Sequence, residues 1–332
     1  MMPLSFSRTA AILSLVALGC LSVAARAASF DCHAARTSIE QAICNDAELS
    51  RLDERLDDTY RAALGVADGD AATALRATQR AWLKARLPAD GRIDVRALQQ
   101  AYRQRIAELQ ARPGFPDAVK RGGGSTFRLT DMSKEFDFTV RMYQDCPMPK
   151  GKDSAYCEGP GRIAVFRKGA GTPLQTIDFP TIVATLLPSG KPLTQSARLY
   201  DDQGVLNVGD FNFDGHDDFG VQTGNEGGYG GPSYDVYLFD PKTGRFDRNS
   251  AMSDLTHESL GFFDVDPKRR RLRAFSKSGC CYHETTTFRV DDDRLVEVER
   301  HIEAARMDGK MEITDEQLVG GKWRKKVRVE TD

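Results

Sequence analysis

The chain has 332 residues, 40% of them hydrophobic and 28% charged, with a formal net charge of −2. That length accommodates two domains, and the composition is that of a protein with a real core. The charge excludes a generic nucleic-acid binder, which carries a strong basic excess.

Residues 1–27 read as a targeting segment. Arg8 supplies a positive start, "AAILSLVALG" an apolar run, and "ARA" (Ala25, Arg26, Ala27) a small-residue cleavage signal. The apolar run is shorter than the roughly 20 residues that a transmembrane helix needs. Export to the periplasm by soluble release is the expectation. "ALGC", ending at Cys20, partly matches a lipoprotein cleavage box, but Ala17 and Leu18 fit that pattern poorly. Membrane attachment therefore arises only with lipidation at Cys20.

Cleavage after Ala27 leaves Cys32, Cys44, Cys146, Cys157, Cys280 and Cys281, and an even set in an exported chain reads as disulfides. Proximity along the chain suggests Cys32–Cys44, Cys146–Cys157 and a vicinal Cys280–Cys281. Zinc is disfavoured, because no C-x-x-C pair occurs and only His283 lies near two adjacent cysteines.

The next expected unit, residues 28–112, is helical. In "NDAELSRLDERLDDTYRAAL", Leu49, Leu52, Leu56, Tyr60, Ala63 and Leu64 recur at helical spacing, with charge on the other face. Asn45 or Asp46 can cap its start. A second helix carries Leu75, Gln79, Trp82 and Leu83 and breaks at "LPADG"; a third carries Leu98, Ala101, Tyr102, Ile106 and Leu109 and ends at "RPGFP". Residues 113–124 then read as a linker.

From residue 125 to 332 the period changes to that of strands. "FDFTVRMY", "RIAVFR", "VLNVGDF", "DFGVQT", "YDVYLFD", "RRLRAFS" and "YHETTTFRV" are short runs separated by Gly, Pro, Asp and Asn turns. Such spacing suits an all-β sandwich, barrel or propeller. The fold class expected is therefore α plus β in separate domains, a small helical one followed by an all-β one.

Within the β region, "GDFNFDGHDDFG" crowds four carboxylates around Gly215 with no basic neighbour in sequence. Asp210, Asn212, Asp214 and Asp218 occupy positions 1, 3, 5 and 9 of a loop whose turn is Gly215, and His216 offers its carbonyl. Hard oxygen ligands in this pattern wrap Ca²⁺, which would neutralise the carboxylates. An EF-hand would need Glu at position 12, where Val221 stands, and the flanking segments are strand-like. A closed set of oxygens on a loop suits a structural ion, so calcium is read as scaffold, with the His216 ring facing water.

"SFDCHAARTSIEQAICNDAELSRLDERLDDTYRAAL", followed by "QRAWLKAR" and "AYRQRIAEL", resembles the LprI family of bacterial lysozyme inhibitors over residues 29–109. The second cysteine pair common in that family after the "W" helix is replaced here by "LPADGRIDVRAL". The β region, through "DFNFDGHDDF", "GGYGGPSYDVYLFD" and "SGCCYHETTTFRV", is similar to periplasmic calcium-binding, propeller-like proteins that act as lysozyme inhibitors and immunity proteins. These resemblances imply a propeller-like β domain and a peptidoglycan hydrolase as protein partner.

No catalytic set emerges from the residues: there is no G-x-S-x-G, H-E-x-x-H or phosphate loop. The chain is therefore read as a non-enzyme, although a glycosidase needs its two carboxylates adjacent only in space. In "GNEGGYGGPSY", Tyr229 stands among glycines with Glu226 nearby, a flat ring suited to plugging a sugar-binding cleft. The bound calcium would fix the base of that loop. The alternative is a calcium-stabilised surface or scaffold module without inhibitory activity.

Overall fold

The computed structural model describes residues 28–30, 32, 35–86, 92–196 and 203–330. The expected targeting segment, Cys20 and the "LPADG" breaker lie outside them. No helix among the described residues is long and apolar enough to cross a membrane.

The helical region begins with α1 (Ser38–Asn45), opened by a capping box in which Glu40 accepts from the Thr37 amide at 2.8 Å. α2 (Ala47–Gly65) follows at once. Of the two candidate caps it is Asp46 that serves, accepting from the Leu49 amide at 2.7 Å. α3 (Gly69–Ala85) and α4 (Val95–Gln110) complete the bundle. Their apolar faces meet through Ile43, Leu49, Leu56, Leu75, Leu98, Tyr102 and Leu109, all buried. Gln79 is buried with them because Arg105 donates to its side-chain oxygen at 3.0 Å. Leu83, placed on the apolar face by its spacing, is exposed instead. Residues 113–124 do more than connect: they carry α5 (Asp117–Lys120) and bury Phe115 and Val119 in the helical core.

Three antiparallel sheets follow, each with its strands in chain order. The first is β1 (Thr126–Leu129), β2 (Phe136–Met142), β3 (Ala155–Arg167) and β4 (Pro173–Leu186). The second is β5 (Leu206–Gly209), β6 (Asp218–Gly227), β7 (Gly231–Asp240) and β8 (Arg245–Arg248). After α6 (Ser250–Glu258) the third runs through β9 (Asp264–Asp266), β10 (Arg271–Ser278), β11 (Tyr282–Asp291), β12 (Arg294–Ala305), β13 (Met311–Val319) and β14 (Lys322–Glu330). Among the described strands no sheet closes on itself into a barrel. A helical region followed by antiparallel sheets matches the sequence reading. α6 departs from an all-β region, a short helix capped by Asn249 and buried through Met252 and Leu255.

The first two sheets share a core in which Phe136 meets Phe239 and Phe246, each at 5.0 Å between ring centres, and Phe219 stacks on Tyr237 at 5.1 Å. A second core joins Val236 and Leu238 of β7 to α6 and to Leu272 of β10. The cysteines pair as Cys32–Cys44, Cys146–Cys157 and Cys280–Cys281. The first closes a short loop at the edge of the helical core, a constraint worth roughly 3 kcal/mol.

Helices and sheet are welded by ion pairs. Arg162 of β3 reaches Asp57 of α2 at 3.0 Å and also binds Asp58, while Arg61 bridges Asp57 at 2.8 Å and Asp178 of β4 at 2.9 Å. Tyr143 completes the join: its ring lies in the helical core, and its hydroxyl donates to Asp178 at 3.2 Å. Arg162 is only 13% exposed, and its loss would leave Asp57 to Arg61 alone and Asp58 to the longer Arg141 contact at 3.4 Å. Arg162→Ala is expected to cost about 3 kcal/mol. Urea unfolding checks this; a change below about 1 kcal/mol would show that the pairs add nothing to the join.

Candidate functional site

The acidic loop folds around its own backbone. Asp210 accepts from the amides of Asp214 and Gly215, both at 3.0 Å, and Asp214 accepts from that of His216 at 2.9 Å. Gly215 has φ +95°, which a residue with a Cβ adopts only with strain. Asp218, the first residue of β6, is fully buried and receives the amides of Phe211 and Phe239, at 2.8 and 2.9 Å. It thereby pins the loop to β7.

Contacts from distant segments surround this loop, and none is visible in the local sequence. Glu135 holds the His216 ring at 2.9 Å and accepts from the Asp217 amide at 3.0 Å. The His216 ring therefore does not simply face water; it is tied to Glu135 and packs edge-on against Phe239. Ser133 donates to Asp217 at 2.6 Å, and Asn212 donates to Asp293, in the β11–β12 turn, at 2.8 Å. Glu135 and Asp293 thus add two carboxylates to a cluster already crowded. Arg167 acts electrostatically on both Glu135 and His216, and the Arg270 guanidinium lies 5.7 Å from the ring centre of Phe213 in the loop.

The cluster's electrostatics follow from that crowding. Burial, with Asp214 and Asp210 as like charges, pushes the Asp218 carboxyl up to about 8 despite its two backbone donors. Burial also raises Asp210, and Asp214 reinforces it. The hydrogen bond with Glu135 raises His216. A cation beside the loop would favour the ionised form of these carboxylates, as the backbone donors on Asp218 already do. In kind the donors suit a hard one: Asp210 and Asp214 carry carboxylate oxygens, Asn212 a side-chain carbonyl beside the amide group that donates to Asp293, and an oxygen that accepts one amide keeps a second lone pair. Among the described residues no three His, Cys, Asp or Glu side chains converge as a ready-made metal cluster. Asp210, Asp214 and Asp218 of the expected set therefore do not converge on one point in this structure.

At the other end of β6 stands Tyr229, in a single 3-10 turn (Gly228–Gly230) that joins β6 to β7. The strand between Asp218 and Gly227 spans on the order of 30 Å. The acidic loop therefore does not lie at the base of the Tyr229 turn, and any effect between them runs along the strand. Tyr229 is 57% exposed and adopts φ 59°, ψ 29°, a left-handed conformation that costs a non-glycine residue roughly 1–2 kcal/mol. It is not isolated. Its hydroxyl accepts from the Gly279 amide beside Cys280–Cys281, and the Lys277 ammonium lies 5.0 Å from its ring centre. The Gly228 amide donates to the Ser259 carbonyl at 3.0 Å, and Asn225 donates to Tyr156 at 2.9 Å. Glu226 accepts from Ser233 and turns back along the hairpin. The tip is thus a braced, aromatic projection.

Elsewhere, a cleft of about 540 Å³ lies between α2 and the first sheet, lined by Glu54, Arg55, Asp58, Arg141 and Arg162. Most of its charges are already matched across the junction described above. Histidines in the third sheet are held by carboxylates: His301 contacts Asp315 at 2.7 Å and Glu303 at 3.4 Å. The Asp315 hydrogen bond raises His301 above its ordinary value. The pair is therefore stabilising below the unfolded histidine's value of about 6.5, and that contribution fades as pH rises through the folded one. Ring-proton NMR is expected to place the His301 midpoint above about 6.5, and Asp315→Asn to bring it down. A midpoint indifferent to Asp315 would contradict this pairing.

In comparisons with known proteins, residues 32–109 match the family described as "Lysozyme inhibitor LprI". No curated protein matches the chain. A solved structure described as that of a Xanthomonas Type IV Secretion System related protein is 24% identical to it. That likeness covers 61% of this chain and 97% of the other, with a TM-score of 0.45. The match to a lysozyme inhibitor family thus falls on the helical region, α1 to α4.

Proposed function

We propose that this chain is an exported inhibitor, of the immunity type, of lysozyme-like peptidoglycan hydrolases. The observation that carries the reading is the match of residues 32–109 to a lysozyme inhibitor family. Three disulfides agree with an oxidising compartment such as the periplasm. The Tyr229 turn is the proposed element that enters the hydrolase cleft, with Glu226 at its flank. An exposed ring held in a strained backbone by neighbours on three sides loses little ordering entropy on binding.

Calcium belongs to the same proposal. Asp210, Asn212, Asp214, Asp218 and the His216 carbonyl would hold it, Asp218 also closing the loop onto β7, and its charge would keep these carboxylates ionised. Its role is scaffolding, since the loop joins the start of β2 to the β11–β12 turn. A propeller-like arrangement of the three sheets is part of this reading too, supported by their meander topology.

Two measurements test it. The mature protein is expected to slow cell-wall hydrolysis by one or more lysozyme classes, and Tyr229→Ala to weaken that inhibition by about 2 kcal/mol, roughly thirtyfold. Full inhibition by a chain lacking residues 225–231 would move the site away from this turn. Chelation is expected to lower the melting temperature of the native chain but not of Asp214→Ala, because an ion bound only by the folded state stabilises it. Superimposable melting curves with and without chelator would remove calcium from the account.

A further inference from the structure

The third sheet ends in an unfilled edge of unusual chemistry. β14 (Lys322–Glu330) pairs with β13 along its whole length, from Val319↔Lys322 to Met311↔Glu330, and it is the terminal strand in the sheet order. Among the described residues, its other edge therefore presents unpaired N–H and C=O groups. Eight of its nine residues are exposed on both faces, Arg328 alone being half-buried. Trp323, Val327 and Val329 are 43%, 47% and 46% exposed. A strand of that length with bare apolar residues is a template for another chain.

Charge decides which chain. Lys322, Arg324, Lys325, Lys326 and Arg328 make five of nine residues basic, against the single acid Glu330. Arg328 is matched by Asp315 and Glu330, and Lys325 approaches Glu316 at 3.6 Å. Arg324 and Lys326 have no ion-pair partner among the described residues. With Arg273 and Gln317 they line a groove of about 490 Å³ on the sheet face, where the acids Glu299, Asp315 and Glu316 are outnumbered by Arg269, Arg273, Arg300, Arg324, Lys325 and Lys326. A second copy of the chain is a poor occupant. Antiparallel pairing centred on Lys326 would set Lys326 against Lys326 and Arg324 against Arg328, and like charges directly opposite destabilise a ladder. Among the charged pairs only Lys322 against Glu330 would attract, and Trp323 against Val329 would add an apolar contact at the strand ends. An anionic glycan could meet the charges, but it has no amide groups at strand spacing to fill the edge.

We propose that the free edge of β14 receives an extended acidic peptide segment of another protein, added as a further antiparallel or parallel strand. Main-chain hydrogen bonds supply the pairing, and acidic side chains at alternate positions meet Arg324 and Lys326. This surface is separate from the Tyr229 turn and does not depend on the inhibitory reading.

Fluorescence anisotropy with the full mature chain tests it, using a labelled peptide in which Glu and Thr alternate. Saturable binding that weakens with salt is expected. Replacing Glu by Lys in the peptide is expected to abolish it, and the double variant Arg324→Glu, Lys326→Glu to weaken it about tenfold or more. Both substituted side chains are exposed, and an unchanged circular dichroism spectrum establishes that the variant folds. Backbone N-methylation of alternate peptide residues is expected to abolish binding to the unmodified chain, a comparison that needs no variant. No binding of the Glu peptide, or equal binding of its N-methylated form, would overturn the proposal. Tighter charge-dependent binding of a sulfated glycan than of the peptide would do the same.

Discussion

The join between α2 and the first sheet sets the character of the molecule. Arg162 and Arg61 interleave with Asp57, Asp58 and Asp178 so that every charge in the junction has a partner on the other side. Desolvating any one of them alone would be costly, and the set is stable only when helix and sheet are both present. Tyr143 extends the constraint into the helical core, where its buried ring counts as one of the helical region's own side chains. The helical region is thus no appendage on a flexible tether. Its match to a lysozyme inhibitor family and the braced Tyr229 hairpin belong to one packed chain.

A second constraint runs through the β region. Asp218 gathers two backbone amides in a fully buried position, and the loop before it gathers contacts from the start of β2 and the β11–β12 turn. Three segments far apart in sequence therefore depend on one acidic loop. β6 leads from there to the Tyr229 turn, which leans on β3, the segment after α6 and the Cys280–Cys281 turn. Braces at both ends suit a strand whose far end must present a side chain in a fixed place.

Local chemistry was legible in the sequence, and remote contacts were not. The spacing of Leu49, Leu52 and Leu56 foretold α2, and Asp46 its cap, because both signals lie within one or two turns. Short cysteine separations likewise foretold the pairings, the neighbours in sequence being those that can meet without long loop closure. Leu83 misled, since helical spacing places a residue on a face but does not say where that face ends. β13 and β14 were hidden: in "KWRKKVRVE" Trp323, Val327 and Val329 share one face, but Lys325 interrupts them and the run of basic residues reads as a solvated stretch. The acidic loop's ligand pattern could be read, whereas Glu135 and Asp293 could not, standing 82 and 81 residues from their partners. The bracing of Tyr229 by Gly279 and Lys277 escaped for the same reason. Its isolation among glycines suggested a free projection, and the structure ties it down.

The central claim is that a hydrolase is engaged by the Tyr229 hairpin of a chain whose helical region is rigidly joined to it. Hydrogen–deuterium exchange of the mature chain, with and without a bound lysozyme-class hydrolase, tests this most directly. The account predicts slowed exchange at residues 225–231 and in the adjoining Gly279 turn, with α1 to α4 unchanged. Protection confined to residues 38–110, with the hairpin exchanging as in the free chain, would contradict it.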